Sequence, residues 1–190
     1  MDNSTHIEPA VLIVFGGRPG TGKSTIAQTL SAQVGAVLLE IDQIEAPLKA
    51  RLGPDIGPLG YNVSYQVATA NLDLGHVVIA DCVNPIAVTR NAWISTAMGC
   101  DATLVQVNVE CNDPHEHRRR IEKRLIDRPM QGLPDWNSVQ ARQVDEWPDA
   151  DVTLDTAALT PGESAATVVA TLRQLVPGRF GGIPARRSLG

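Results

Sequence analysis

The chain has 190 residues and a formal net charge of −5, from 16 basic and 21 acidic side chains. This length is typical of one domain built around a single core, and the net acidic charge argues against a protein that mainly holds duplex nucleic acid. Its content of 43% hydrophobic and 19% charged residues excludes collagen-like and mostly disordered chains.

The sequence patterns favour a cytoplasmic protein with no membrane partner. The longest purely apolar stretches, residues 11–15 and 77–80, are far shorter than a membrane span. Residues 1–9 lack the basic and apolar regions of a secretory signal. The three cysteines are odd in number and form no C-x-x-C pair, which indicates reduced thiols.

Five short apolar runs alternate with segments of helical periodicity. Their Val, Leu and Ile content, with little strict alternation, is typical of strands buried on both faces of a parallel sheet. The order predicts an α/β three-layer sandwich with a five-stranded parallel sheet. The predicted strands are residues 11–15, 36–41, 76–80, 102–109 and 151–155.

Two apolar stripes and two possible caps predict helices between and after these strands. Asn84 and Asp113 each precede a proline, which predicts an N-cap with proline at the first helical position. Residues 177–190 are rich in Gly, Pro and Arg, so we expect a mobile tail after a single domain at 1–176. The stripes consist of Ile26, Leu30 and Val34, and of Ala166, Val169, Leu172 and Val176.

The most specific motif lies between the first predicted strand and the first predicted helix. Residues 17–24, GRPGTGKS, fit G-x-x-x-x-G-K-[ST] at every fixed position. Glycines let backbone N–H groups approach phosphate oxygens, and the helix N-terminus adds positive charge there. Lys23 then reaches the β- and γ-phosphates, and the Ser24 hydroxyl ligates Mg²⁺. The alternative is a glycine-rich turn with an incidental lysine. The predicted phosphate-binding residues are Gly17, Arg18, Pro19, Gly20, Thr21, Gly22, Lys23, Ser24 and Thr25.

Other nucleotide-binding classes fit less well. A GTPase needs D-x-x-G after the third strand, where this chain reads DCVN at 81–84, and it needs an N-K-x-D motif that the sequence lacks. No G-x-G-x-x-G occurs, which disfavours a dinucleotide-binding fold. The chain instead resembles the small P-loop kinases over roughly residues 10–176: the gluconate kinase, shikimate kinase, chloramphenicol phosphotransferase and zeta-toxin group, and the kinase half of polynucleotide kinases. This resemblance implies a P-loop fold with a small helical lid.

The resemblance also implies roles for three polar residues near strand ends. Asp42 resembles the aspartate that holds the acceptor hydroxyl and takes its proton; helix N-capping is the alternative. Asp81 resembles the acid that orients Mg²⁺ or holds substrate, with a local turn as the alternative. Arg90 resembles an arginine that contacts substrate or transferred phosphate, although a solvated surface arginine fits equally.

Residues 116–128, EHRRRIEKRLIDR, carry a local net charge of +3. Arg120, Arg124 and Arg128 share one helical face and resemble the lid of these kinases, R-[IL]-x-x-R. The resemblance implies a lid at about 116–147 in which Arg120 and Arg124 act as catalytic cations over the phosphates. The alternative is a solvated helix with Glu–Arg pairs.

Three further predictions concern a hinge, the adenine ring and a metal site. Gly132 is a candidate hinge for the lid, and the resemblance puts the adenine ring near the loop at Asp155 and Thr156. His115 and His117 point to different sides of a helix, so we expect no joint metal site there.

Together these features predict an ATP- and Mg²⁺-dependent kinase that phosphorylates a hydroxyl of a small molecule. A nucleotide-binding regulatory switch is a second hypothesis. A polynucleotide 5′-kinase is a third, although the net negative charge argues against nucleic acid as a partner.

Overall fold

The computed structural model describes residues 9–127 and 133–182. Within these ranges it contains one parallel sheet with the strand order β2-β3-β1-β4-β5 and helices on both faces. The strands are β1 (Val11–Gly16), β2 (Val37–Glu40), β3 (Val77–Asp81), β4 (Thr103–Glu110) and β5 (Val152–Asp155). The helices are α1 (Lys23–Val34), α2 (Ile41–Leu52), α3 (Leu59–Leu72), α4 (Ala87–Gly99), α5 (Pro114–Asp127), α6 (Trp136–Ala141), α7 (Pro161–Leu175) and α8 (Pro177–Phe180).

Strand β1 lies at the centre of the sheet and is buried on both faces. Because side chains alternate along a strand, Ile13 and Phe15 pack under α1 and α7, whereas Leu12 and Val14 pack under α3 and α4. Both faces therefore need apolar residues, which explains why the sequence shows a continuous run here. The predicted three-layer α/β sandwich is confirmed.

Two details of the predicted elements are wrong. Ile41 begins α2 and does not end β2. On α7, Ala166 is exposed and Ala165 is buried in its place, because the buried face also includes Val168, three residues further on. An alanine has too little apolar surface to mark a buried face by itself.

The two predicted N-caps have different outcomes. Asp113 caps α5, since its Oδ1 accepts the N–H groups of His115 and Glu116 at 2.9 and 3.2 Å. The prediction for Asn84 is wrong, because α4 begins at Ala87. The Pro85 carbonyl accepts the N–H of Asp145, and the Asp145 carboxylate accepts the N–H of Ala87. A distant segment therefore holds residues 84–86 outside the helix.

The first residues of the predicted C-terminal tail form a short helix. Residues 177–180 form α8, and Phe180 is only 1% exposed within the core beneath α7. A phenylalanine buries enough apolar surface to hold this short helix in place. The remaining part of the predicted tail, 183–190, lies outside the described residues. Among the helices of 9–127 and 133–182, none is long and apolar enough to cross a bilayer.

Candidate functional site

The loop between β1 and α1 has the backbone of a phosphate-binding loop. Gly17, Gly20 and Gly22 have φ angles of +133°, +82° and +96°, which only glycine adopts readily. A Cβ at Gly17 would overlap the carbonyl oxygen of Val109 on β4. Gly22 is the N-cap of α1 and brings no side chain to the helix end, so the first amides of α1 are left to an anion.

Lys23 lies inside this loop. Its side chain is 7% exposed, and its Nζ donates to the Arg18 carbonyl oxygen at 2.8 Å. Burial lowers the pKa of the Lys23 ammonium, while the nearby carboxylates of Asp81 and Asp42 act in the opposite direction. An additional anion at this place would favour the charged ammonium.

Ser24 and Asp81 place hydroxyl and carboxylate oxygens beside Lys23. Burial raises the pKa of the Asp81 carboxyl; the Lys23 charge and a hydrogen bond from Ser24 oppose this shift. Hard oxygen ligands of this kind fit Mg²⁺, which binds one or two protein groups together with phosphate oxygens and water. In 9–127 and 133–182, no group of three or more His, Cys, Asp or Glu side chains is arranged to hold a metal ion.

Asp42 lies at the open side of the same edge. It is exposed in the first turn of α2, whose N-cap is Glu40, so the alternative of Asp42 as the N-cap is wrong. Its charge acts on both Lys23 and Asp81. Glu40 pairs in register with Asp81, so three carboxylates lie near this end of β2 and β3.

On the other side of the loop, Arg120 is fixed against Thr156. Its Nη1 and Nη2 donate to the Thr156 hydroxyl and carbonyl oxygens, both at 2.8 Å, and its Nε donates to Glu116 at 2.8 Å. The Thr156 hydroxyl also donates to the Thr21 carbonyl oxygen at 2.7 Å. These bonds border a cavity of about 170 Å³ next to the phosphate loop. Its lining residues are Gly22, Thr25, Ile26, Arg120, Thr156, Leu159 and Pro161.

Arg124 lies one turn further along α5 and is close enough to Lys23 to lower the pKa of that lysine. Its neighbours Arg118 and Arg119 form the surface pairs with Glu122 and Glu116 that the alternative interpretation expected. The predicted lid residues Arg128 and Gly132 lie outside the described part of the chain.

Arg90 is buried and bonded to a distant segment of the chain. It is 6% exposed, so the surface alternative is wrong. Its Nη1 and Nη2 donate to the carbonyl oxygens of Glu146 and Asp145 at 2.9 and 3.4 Å, and its guanidinium lies 5.1 Å from the ring centre of Trp147. Arg90 thus holds the segment after α6 against α4, and its contact with substrate stays a prediction.

Sequence reasoning missed two polar residues that the fold brings to the site. His117 is buried, and its Nε2 lies 2.8 Å from the Pro19 carbonyl oxygen in the phosphate loop. Asn84 has a φ of +48° and is 2% exposed, and its two amide atoms have no hydrogen-bond partner among residues 9–127 and 133–182. For Asn84 the available signal was its place three residues after Asp81; for His117 there was none.

Comparisons with known proteins agree with this geometry. Residues 12–146 match the family described as AAA domain, which is more than half of the chain. No curated protein sequence matches the chain.

Several solved structures, among them two kinases, share the fold at low sequence identity. The Mycobacterium tuberculosis APS kinase CysC, solved with AMPPNP and APS, is 19% identical with a TM-score of 0.69, covering 87% of this chain and 99% of its own. The Sinorhizobium meliloti gluconokinase is 17% identical with a TM-score of 0.62 and coverages of 90% and 96%. Chaetomium thermophilum Kti12, solved with ADP-AlF3, is 17% identical with a TM-score of 0.61 and coverages of 91% and 99%.

Proposed function

The chain belongs to the AAA domain family and has the fold of the small P-loop kinases, and from this premise we propose that it transfers the γ-phosphoryl group of ATP to a hydroxyl of a small molecule. The observation that carries the proposal is the position of Lys23, Ser24, Asp81 and Asp42 at one edge of the sheet. An amide-lined loop, an ammonium and oxygen ligands are what phosphoryl transfer from a nucleotide requires.

The phosphate loop holds the triphosphate of ATP in this proposal. Amides of 17–25 bind the phosphate oxygens, and Lys23 contacts the β- and γ-phosphates. Arg124 approaches from α5 and stabilises negative charge on the transferring group. The cavity beside Arg120 and Thr156 is adjacent to the phosphates, which supports binding of the adenine ring on this side of the loop. The structures solved with AMPPNP and ADP-AlF3 in this fold support an adenine nucleotide.

Ser24 and Asp81 would hold Mg²⁺, because their oxygens lie together beside Lys23. When bound there, Mg²⁺ neutralises phosphate charge and orients the γ-phosphate. Asp42 is the base in this proposal: its exposed carboxylate accepts the proton of the acceptor hydroxyl as the new O–P bond forms. Of the two aspartates, Asp42 is the one that solvent and an acceptor reach.

Charge on the acceptor side supports a neutral or cationic acceptor. Glu40, Asp42 and Asp81 lie there, and they would repel a phosphorylated acceptor. The guanidinium of Arg90 is directed at residues 145–147. These features disfavour a polynucleotide 5′-kinase, which must hold a phosphate backbone.

The test is acceptor-stimulated ADP release with Mg²⁺-ATP. The acceptors are sugars, sugar acids, nucleosides, aminocyclitols and a 5′-hydroxyl oligonucleotide. We expect a neutral or cationic member to stimulate turnover in the wild type, and Lys23→Ala and Asp42→Asn to reduce it at least about 100-fold.

Lys123→Ala and Asp149→Asn are matched controls, since both residues are exposed. Stimulated turnover that survives both Lys23→Ala and Asp42→Asn would refute the proposal. Slow ATP hydrolysis without any acceptor effect, unchanged in Asp42→Asn, would favour the regulatory switch.

A further inference from the structure

The carbonyl groups of the phosphate loop need partners as much as its amides need an anion. When the amides of a loop converge on an anion, its carbonyls turn outward, and a buried carbonyl without a partner is costly. The Arg18 carbonyl oxygen accepts from Lys23 Nζ at 2.8 Å and from the Thr21 hydroxyl at 3.0 Å. The next carbonyl, that of Pro19, faces His117 on α5.

The contact between His117 and Pro19 has one possible direction. A carbonyl oxygen only accepts, so Nε2 of His117 carries the proton and donates it over 2.8 Å. The ring is 5% exposed and packs edge-on against Trp136, with ring centres 5.3 Å apart. Its position is therefore fixed by packing as well as by the hydrogen bond.

Fixing the Pro19 carbonyl also fixes an amide. In a planar trans peptide the C=O and the following N–H point in opposite directions, so the bond from His117 turns the Gly20 N–H toward the inside of the loop. Pro19 itself has no N–H, which makes the Gly20 amide the first donor after Arg18. A Cβ at Gly20 would overlap Ile121 and lie 3.4 Å from the His117 ring, so helix α5 closes directly over this peptide.

Arg18 attaches the same part of the loop to the segment around α6. Its Nη1 donates to the carbonyl oxygens of Val139 and Arg142 at 2.8 and 2.9 Å. Arg18 and Pro19, two of the four unfixed positions of the motif, are thus held from outside by α5 and by residues 139–142.

We propose that His117 is a positioning residue for the nucleotide: by holding the Pro19 carbonyl outward, it keeps the Gly20 amide directed at the phosphate site before ATP arrives. This inference rests on the proposed function, because it assumes that the loop binds a triphosphate. Without the donor, the 19–20 peptide loses its outer partner and turns to find another, which takes the Gly20 amide out of the site. The loop must then be reordered during binding, and affinity falls.

The experiment measures the Kd of Mg²⁺-ATP by titration calorimetry for the wild type and four variants, well below each melting temperature. His117→Phe keeps an aromatic ring against Trp136 but has no donor, and His117→Leu removes both. His117→Gln restores an amide donor of similar reach. His115→Leu is the matched control, because His115 is exposed two residues away on the same helix.

We expect His117→Phe and His117→Leu to raise the Kd at least tenfold, which equals about 1.4 kcal/mol. His117→Gln should stay within about threefold of the wild type, and His115→Leu should not change the Kd. If Leu prevents folding, the Phe and Gln pair still decides the question.

Wild-type Kd in His117→Phe, with or without a lower melting temperature, would overturn the inference and leave a structural role. Failure of a folded His117→Gln variant to recover affinity would overturn it as well. A wild-type protein that does not bind Mg²⁺-ATP would instead refute the proposed function, and with it this inference; the wild-type titration alone identifies that case.

Discussion

The nucleotide side and the acceptor side of the site differ in how completely their polar groups are paired. Around the phosphate loop, Lys23, His117 and Arg120 all have partners within 2.8 Å. Beside β3 and α4, on the side that we propose for the acceptor, both amide atoms of Asn84 and the Nε of Arg90 are buried without a partner in the part of the chain that the structure describes.

On the nucleotide side, folding alone supplies the hydrogen bonds of the polar groups. On the acceptor side, some of these hydrogen bonds are left for a ligand to supply. A paired site needs little reordering, so binding retains more of its interaction free energy. A buried unpaired amide lowers the free energy of unfolding by about 1–3 kcal/mol, and such groups need a reason to persist. The acceptor side is therefore where we expect a ligand to supply the missing hydrogen bonds.

The largest expected effect is the loss of stability caused by Gly17→Ala on the nucleotide side. With alanine, a Cβ would overlap the Val109 carbonyl oxygen at a φ of +133°, so overpacking and backbone strain add. We expect a loss of about 4 kcal/mol in the free energy of unfolding, measured by urea denaturation. Gly35→Ala is the control, because Gly35 has a φ of +68° but open space around its Cα; its cost should be about 1–2 kcal/mol. Equal losses in both variants would contradict the crowding argument.

Thr156→Val tests the pairing around Arg120. Valine keeps the shape of the side chain but removes a hydroxyl that donates to Thr21 and accepts from Arg120. The buried Thr21 carbonyl oxygen then lacks this donor, so we expect a loss of about 1–3 kcal/mol in the free energy of unfolding, measured by thermal unfolding. Thr167→Val, at an exposed position on α7, should cost under about 0.5 kcal/mol. A neutral Thr156→Val variant would show that these bonds add nothing.

Asn84→Gly should raise the stability of the fold, whereas the two preceding variants should lower it. The change removes a buried unpaired amide and relieves a non-glycine residue at a φ of +48°. We expect a melting temperature about 2–4 °C higher and weaker stimulation by whichever acceptor the wild type accepts. A lower melting temperature would indicate that the amide is paired in solution and would remove the contrast between the two sides.

The smallest effect concerns acid sensitivity of α5. Hydrogen bonds from Arg119 and Arg120 lower the pKa of Glu116 to about 2. Because a lowered carboxyl pKa stabilises the fold above the unfolded value of about 4.3, this contribution is lost as the pH falls from about 4.3 toward about 2. The melting temperature of the wild type should exceed that of Glu116→Gln by less than about 3 °C at neutral pH. The gap should close in acid; a gap that stays constant from pH 7 to pH 2 would contradict the pairing.

The sequence predicted the nucleotide side far better than the acceptor side. Spaced glycines within one short segment and Lys23 identify the loop, because its chemistry requires those residues at fixed spacing. The resemblance placed Thr156 near the adenine ring, but its hydrogen bonds to Arg120 and Thr21 depend on tertiary packing. His117 likewise reaches the loop only through the packing of α5, which no local pattern records. Asn84 was misread for the same reason: its proline neighbour suggests a helix start, while the distant Asp145 supplies the bonds that keep it out of α4.

The central claim is that the nucleotide side is ready to bind a triphosphate, and titration of the purified wild-type and Lys23→Ala proteins with ATP and Mg²⁺ tests it most directly. The account predicts saturable one-to-one binding by the wild type and at least about tenfold weaker binding by Lys23→Ala. Equal affinity in the two proteins, or no binding by the folded wild type, would contradict it.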